Sequence, residues 1–187
     1  MASGLEREIK LRFASAEDAR ARILASGAAP LRGRRLQEDE LLDTDDEQLR
    51  RARSVLLIRT ENGKSLLTYK GPVIPAAMKV REEKETVVGD GAILREILQG
   101  LGLHVWFRYE KYREEFAAED VVIAIDETPV GTFVEVEGGE AAIGATAEAL
   151  GCTPADYLLD SYRTLFLRHR EAAGLDGHDM LFAERRD

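Results

Sequence analysis

Leu5-Glu6-Arg7-Glu8-Ile9-Lys10-Leu11-Arg12-Phe13 opens the chain with a two-residue alternation. Side chains on a β-strand point to opposite faces in turn. Glu6, Glu8, Lys10 and Arg12 therefore share one face, and Leu5, Ile9, Leu11 and Phe13 share the other. The apolar face has to pack on something. A charged face on one strand alone is what an antiparallel sheet shows to water. Here, however, the pattern returns along the chain. Lys79, Arg81, Glu83 and Glu85 share a face, as do Lys111, Arg113 and Glu115. Glu135 and Glu137 lie opposite Val134 and Val136, and Asp126 lies opposite Val121, Ile123 and Ile125. Arg59 and Lys70 stand near the ends of two hairpin strands. A merely solvated face would take Ser, Thr and Gln freely. Turned inward, these faces would build a lumen of both signs, costly unless ions fill it.

The same reading carried outward gives eight strands joined mostly by hairpins. Strands are expected at 5–13, 34–43, 79–88, 105–116, 120–126 and 132–138. A hairpin over 54–71 turns at Glu61-Asn62-Gly63-Lys64. Ser15 caps a helix over 16–26 that ends at Gly27, and Asp90 caps another over 92–101. Two helices, 140–150 and 154–172, close the chain, and a short polar connection follows the 34–43 strand. The fold class is α+β: an antiparallel sheet curled into an eight-stranded barrel with helices outside. The span 1–187 reads as one domain, with its core at 5–172 and a polar tail at 174–187.

Composition narrows the function. Lys plus Arg is 26 and Asp plus Glu is 35, a net charge of −9, so no basic face awaits duplex nucleic acid. No apolar run approaches the ~18–20 residues that span a bilayer, and no apolar signal segment appears before Lys10, so no membrane is expected and the location is expected to be cytoplasmic. A lone Cys152 excludes an internal disulfide and a cysteine metal site; the three histidines lack ligand spacing. What remains is a cluster of carboxylates without His or Cys. These are hard oxygen ligands suited to Mg²⁺ or Mn²⁺. Arg and Lys fans suit phosphoryl oxygens. Metal plus cationic clamp is the apparatus of phosphoryl transfer, in which positioning and charge stabilisation carry the catalysis.

Glu6-x-Glu8-x-Lys10 resembles the ExExK signature of the CYTH domain, the triphosphate tunnel metalloenzyme superfamily. The later motifs, in their order along the chain, make the resemblance specific: Arg59 after an apolar run, Leu67-Thr68-Tyr69-Lys70-Gly71-Pro72, Lys79-x-Arg81-x-Glu83-x-Glu85, Lys111-x-Arg113, Asp126, Gly131-x-Phe133-x-Glu135-x-Glu137, and Ser161-Tyr162-Arg163. It covers residues 5 to about 168. The resemblance implies an eight-stranded tunnel that binds a triphosphate inside and uses Mg²⁺ or Mn²⁺. By it, Glu6, Glu8, Glu135 and Glu137 would hold metal. Lys10, Arg59, Lys70, Lys111 and Arg113 would hold phosphates and, with Asp126, carry catalysis. Lys79 and Arg81 would join the substrate contacts, while Arg12, Glu83 and Glu85 would line the tunnel. Many relatives have Arg-x-Arg where this chain has Leu57-Ile58-Arg59, so one phosphate contact is missing or comes from Arg12 or Arg81.

The resemblance is nearest to the class IV adenylate cyclase branch, in which the ribose 3′-hydroxyl of ATP attacks the α-phosphorus and pyrophosphate leaves. The alternative is a triphosphatase, in which water attacks the terminal phosphorus of tripolyphosphate, thiamine triphosphate or a nucleotide. A non-catalytic polyphosphate or nucleotide-binding module is the third reading. The partner expected is a small-molecule triphosphate; pairing of the chain with a second copy of itself stays open. Tyr69, Tyr112, Phe133 and Tyr162 read as packing rather than base-stacking residues. Glu61, Lys64, Asp45-Asp46-Glu47 and Arg50-Arg51 carry no functional assignment.

Overall fold

Eight strands close into a barrel whose inner wall carries the alternating charges. In the computed structural model, which describes residues 4–183, the elements run β1 (Gly4–Phe13), α1 (Ala16–Ala25), β2 (Ala29–Asp43), α2 (Gln48–Arg51), β3 (Val55–Glu61), β4 (Lys64–Lys70), β5 (Lys79–Val88) and α3 (Gly91–Gly100), then β6 (His104–Ala118), β7 (Val121–Thr128), β8 (Gly131–Gly138), α4 (Glu140–Ala149), a 3₁₀ turn (Pro154–Asp156) and α5 (Tyr162–Ala173). The closed barrel has the order β1-β5-β4-β3-β2-β6-β7-β8, every pair antiparallel. The β3–β4 hairpin turns through Asn62 (φ 50°) and Gly63 (φ 72°), the left-handed pair that a tight two-residue turn demands. Ser15 and Asp90 cap α1 and α3, accepting from the amides of Asp18, and of Ala92 and Ile93.

Three expectations need correction. The connection after β2 is not simply polar. Asp43, fully buried, accepts from the amides of Thr44, Leu49 and Arg50 and so nucleates α2. The helix expected over 154–172 breaks. Thr153 and Asp156 form a reciprocal capping box around the 3₁₀ turn, the Leu158 amide donates to the Lys10 carbonyl at 2.8 Å, and Ser161 caps a fresh helix. The tail is not merely polar either. β7 pairs with β6 only from Tyr112 onward, which leaves an edge along the first half of β6. Met180 fills it: its amide donates to the Arg108 carbonyl and its carbonyl accepts from the Glu110 amide, both at 2.9 Å. Phe182 packs on Tyr112 with ring centroids 5.2 Å apart. Residues 1–3 and 184–187, the ends of the 1–187 span and of its tail, lie outside the described residues.

The apolar core sits outside the barrel wall. Ile9, Leu11, Ile123, Ile125, Val134 and Val136 turn outward and are covered by Ala19 and Ile23 of α1 and by Ile143 and Ala147 of α4. Each such aliphatic side chain, fully buried, contributes ~1.5–3 kcal/mol. A second cluster closes one end of the barrel: Leu41, Leu57, Phe107, Phe133 and Met180 meet Tyr162, Leu165 and Phe166 of α5. With folding driven from these two places, the lumen is free to hold charge. Among the described residues no helix is long and apolar enough to cross a membrane.

Candidate functional site: a charged tunnel

The lumen is a cavity of about 1300 Å³. Glu6, Glu8, Lys10, Arg59, Lys70, Lys79, Arg81, Glu83, Glu85, Lys111, Arg113, Glu135 and Glu137 all line it. Strand parity places them there, and strand register decides their neighbours. Lys10 faces Glu135, Glu8 faces both Glu137 and Lys79, Glu6 faces Arg81, and Lys70 faces Glu83. Two walls of different character result.

The first wall is cationic. Lys10 Nζ lies 3.1 Å from Glu135 Oε1, and Arg113 also reaches Glu135. Arg113 grips Asp126 through two nitrogens at 2.6 and 2.5 Å, and Lys111 Nζ donates to the same carboxylate at 2.9 Å. Arg59 grips Asp39 in the same forked way, at 2.7 and 3.0 Å. Asp126 is fully buried and lies behind the cations rather than on the cavity surface. Burial would raise its carboxyl, but Arg113 and Lys111 outweigh that and hold it below the usual carboxylate range. Glu135 follows the same logic: burial opposes, and Lys10, Arg113 and Lys111 hold it well below. Burial and the neighbouring Arg113 push Lys111 down to about 8, against the pull of Asp126 and Glu135.

The second wall is acidic. Glu6 accepts from Lys70 and Arg81, both at 2.9 Å; Glu8 accepts from Lys79 at 2.6 Å; Glu83 lies 2.7 Å from Lys70; Glu85 accepts from Thr68 at 2.8 Å. Burial disfavours the Glu6 charge, yet Lys70 and Arg81 bring its pKa down to about 2. Its neighbour Glu83, which shares a hydrogen bond with it, is raised by burial and by the Glu6 charge. Burial, then Glu6, Glu83 and Glu8, lift Glu137 to about 7. One carboxyl raised by burial and a neighbouring charge, and another lifted toward neutrality, mark a wall with more carboxyls than cations.

That shortage is the test of whether the tunnel suits a divalent ion. The donors of the acidic wall are all hard carboxylate oxygens, so their chemistry fits Mg²⁺ or Mn²⁺. As placed, no three His, Cys, Asp or Glu side chains among the described residues converge on one point, and lysines and arginines occupy Glu6 and Glu8. Glu135, implied by the resemblance as a metal ligand, is paired with Lys10 and Arg113, as Glu6 and Glu8 are with other cations; Glu83 stands with Glu6 and Glu137.

Several residues fall elsewhere than expected. Arg12 is exposed, with its guanidinium 4.7 Å from the Phe133 ring centroid and outside the cavity lining, so it does not replace the missing arginine. Arg81 does line the cavity but is held by Glu6. Leu57 points inward as its parity with Arg59 requires, yet it is 3% exposed and packed in the apolar end under α5. Arg35, Gln37 and Glu61 form a further network with Glu115, and Asp39 holds Arg59; of Arg35, Gln37, Asp39, Glu61 and Glu115, the sequence reading turns only Glu115 inward. Arg35 pairs with Glu61 at 2.7 Å and Glu115 at 2.8 Å, Gln37 donates to Glu61 at 2.5 Å, and Arg32 reaches Glu61 too. The signal was present: Arg35, Gln37 and Asp39 alternate along β2 just as the charges of β1 do. Arg50, read as solvated, lines the cavity and lies 4.3 Å from the Trp106 ring centroid.

Comparison with known proteins agrees with this fold. The CYTH domain model matches residues 4–149. "Putative adenylate cyclase MJ0240" of Methanocaldococcus jannaschii is 35% identical over 105 residues, 56% of this chain. The match spans 60% of that relative's length. A Vibrio parahaemolyticus structure with the same adenylate cyclase designation superposes with a TM-score of 0.77 at 20% identity, over 89% of this chain and 99% of that one. A Hippeastrum structure, described as revealing a dominant triphosphatase activity, superposes at 0.61 with 19% identity, over 89% of this chain and 96% of that one. At these identities the two structures speak to the fold.

Proposed function

The chain belongs to the CYTH domain family, and from that premise we propose that it is a Mg²⁺- or Mn²⁺-dependent enzyme acting on a triphosphate held in the tunnel, with ATP cyclised to cyclic AMP and pyrophosphate as the leading reaction. One observation carries the reading: Lys10, Arg59, Lys111 and Arg113 line the same lumen as a wall on which carboxylates outnumber the cations paired with them. A triphosphate takes the place of carboxylates as partner to the cations. Glu6, Glu8, Glu135 and Glu137 would hold the metal, with Glu83 beside them; the metal when bound neutralises phosphoryl charge and polarises the attacked phosphorus. Arg59 and Arg113 are fixed by Asp39 and Asp126, so their remaining N–H groups meet phosphoryl oxygens without reorganisation. Lys10 and Lys111 add point charges beside them. The adenylate cyclase designation of the M. jannaschii relative favours cyclisation.

Hydrolysis is the second reading, and a specific observation favours it. Trp106, Phe107, Tyr109 and Tyr162 line the cavity, and each already has a ring or cation partner, so none stands open to stack a base. Incubation with Mg²⁺ or Mn²⁺ and, separately, ATP, tripolyphosphate and thiamine triphosphate separates the two. Cyclic AMP with pyrophosphate supports cyclisation; orthophosphate supports hydrolysis; no product from any of the three, or full activity in excess chelator, defeats the proposal.

A further inference from the structure

The cationic wall leans on a part of the chain beyond the matched domain, which ends at residue 149. The extended segment 157–160 carries the chain back to β1, where Lys10 Nζ donates to the Asp160 carbonyl at 3.1 Å. Tyr162 follows in the first turn of α5, only 7% exposed. Its hydroxyl donates to Asp126 Oδ2 at 2.5 Å, the oxygen that also accepts from Lys111 and Arg113. Its ring lies under two ammonium groups: Lys10 Nζ is 4.3 Å and Lys111 Nζ 5.1 Å from the centroid. Tyr109 and Phe133 hold the ring in place, with centroids 5.9 and 5.7 Å away. Leu165 and Phe166 of the same helix fill the apolar end of the barrel by volume alone. Tyr162 does more than fill: it touches Lys10, Lys111 and the carboxylate that fixes Arg113.

We propose that Tyr162 is the positioning residue of the cationic wall: its ring is the platform that holds Lys10 and Lys111 side by side, and its hydrogen bond to Asp126, which Lys111 and Arg113 already hold, sets the orientation of that ring. Two ammonium groups this close repel. The negative face of an aromatic ring attracts both, without occupying the N–H directions that a phosphate needs, as another carboxylate would. The assignment rests on the reading that the tunnel holds a triphosphate, and it makes α5 part of the site rather than a stopper.

The test uses the full chain and tripolyphosphate, with affinity measured by calorimetry in EDTA. Tyr162→Phe keeps the ring and should bind within about threefold of wild type, whereas Tyr162→Leu removes it and should bind about tenfold more weakly. Tyr162→Met fills similar space without a π face and stands in should the leucine variant not fold. Ring currents supply a readout that packing alone does not move: the ε-CH₂ protons of Lys10 and Lys111 should resonate upfield in wild type and Tyr162→Phe, and not in Tyr162→Leu. Tight binding by a ring-less variant, or equal weakening in Tyr162→Phe and Tyr162→Leu, overturns the assignment. Absence of the upfield lysine resonances in wild type overturns it without any variant. If wild type itself binds neither tripolyphosphate nor ATP, in EDTA or with Mg²⁺ or Mn²⁺ present, the triphosphate reading fails and takes the assignment with it. That outcome is told apart from failure of the assignment alone, in which wild type binds.

Discussion

Leu57→Arg restores the arginine that many relatives carry, and the structure says that it will not restore a phosphate contact. Leu57 is 3% exposed; it faces Leu41 on β2 and Thr68 on β4, and clusters with Phe107, Tyr162 and Phe166. Replacement forfeits the burial of a leucine side chain, ~2 kcal/mol. It also places a guanidinium among apolar groups near Asp39, whose oxygens are both taken by Arg59. An uncompensated buried charge costs ~3–5 kcal/mol, and partial escape of the long side chain toward the cavity recovers some of it. A net loss of ~4 kcal/mol is expected. For a chain of this size ~1 kcal/mol moves Tm by ~2–4 °C, so Tm should fall by ~10 °C. Leu57→Met, a volume-conserving control, should cost under ~1.5 kcal/mol. Thermal and urea unfolding give the stability; calorimetry with tripolyphosphate gives the affinity. A variant within ~2 °C of wild type that binds tripolyphosphate more tightly would refute the reasoning, since it would show Leu57 facing ligand rather than α5.

Glu137→Gln should flatten the pH dependence of the metal-free protein. A carboxyl raised from 4.5 to about 7 contributes stability that is present below pH 4.5 and lost as pH rises through 7. The full shift would be ~3 kcal/mol, but Glu137 is exposed, and screening leaves ~1 kcal/mol. Urea titrations at pH 5 and 8 should show the variant gaining ~1 kcal/mol over wild type at pH 8 only; equal gain at both pH values contradicts the assignment. Asp39→Asn should lose ~3 kcal/mol, because the half-buried Arg59 is left with half a partner, and Asp39→Asn combined with Arg59→Met should recover part of it. A single variant that loses under ~1 kcal/mol in urea counts against the forked pair. Arg59→Ala should lower kcat/KM by ~10²–10³, the worth of a charge-assisted phosphate contact in a water-poor site. A loss below about fivefold would remove Arg59 from the clamp.

Parity and register carry different information, and only the first is local. Alternation along β1, β5, β6 and β8 reveals which side chains turn inward, which is why the tunnel residues from Glu6 to Glu137 could be named from the sequence. It does not reveal which inward residue meets which. β1 lies between β5 and β8, far along the chain, and the sequence holds no direct record of the register that sets Lys10 against Glu135 and Glu8 against Glu137. Glu135 and Glu137 are identical in parity and type. One register step separates a carboxylate clasped by Lys10 and Arg113 from one lifted toward neutrality by other acids. Leu57 shows the same limit. Its inward direction follows from Arg59 two residues on, but its apolar surroundings come from Tyr162, Leu165 and Phe166, more than a hundred residues away. The tail escapes a sequence reading for a related reason: Met180-Leu181-Phe182 is a short apolar patch in a polar stretch, and the burial of Met180 depends on an edge of β6 that exists only because β7 ends at Thr128, before it reaches the first half of β6. Asp39 and Arg35 were legible by the rule applied to β1. They are missed only when that rule stops short of β2, the longest wall of the tunnel together with β6. A charged alternation is therefore informative on every strand of such a barrel. The fate of each charge is decided by the neighbours that closure brings to it.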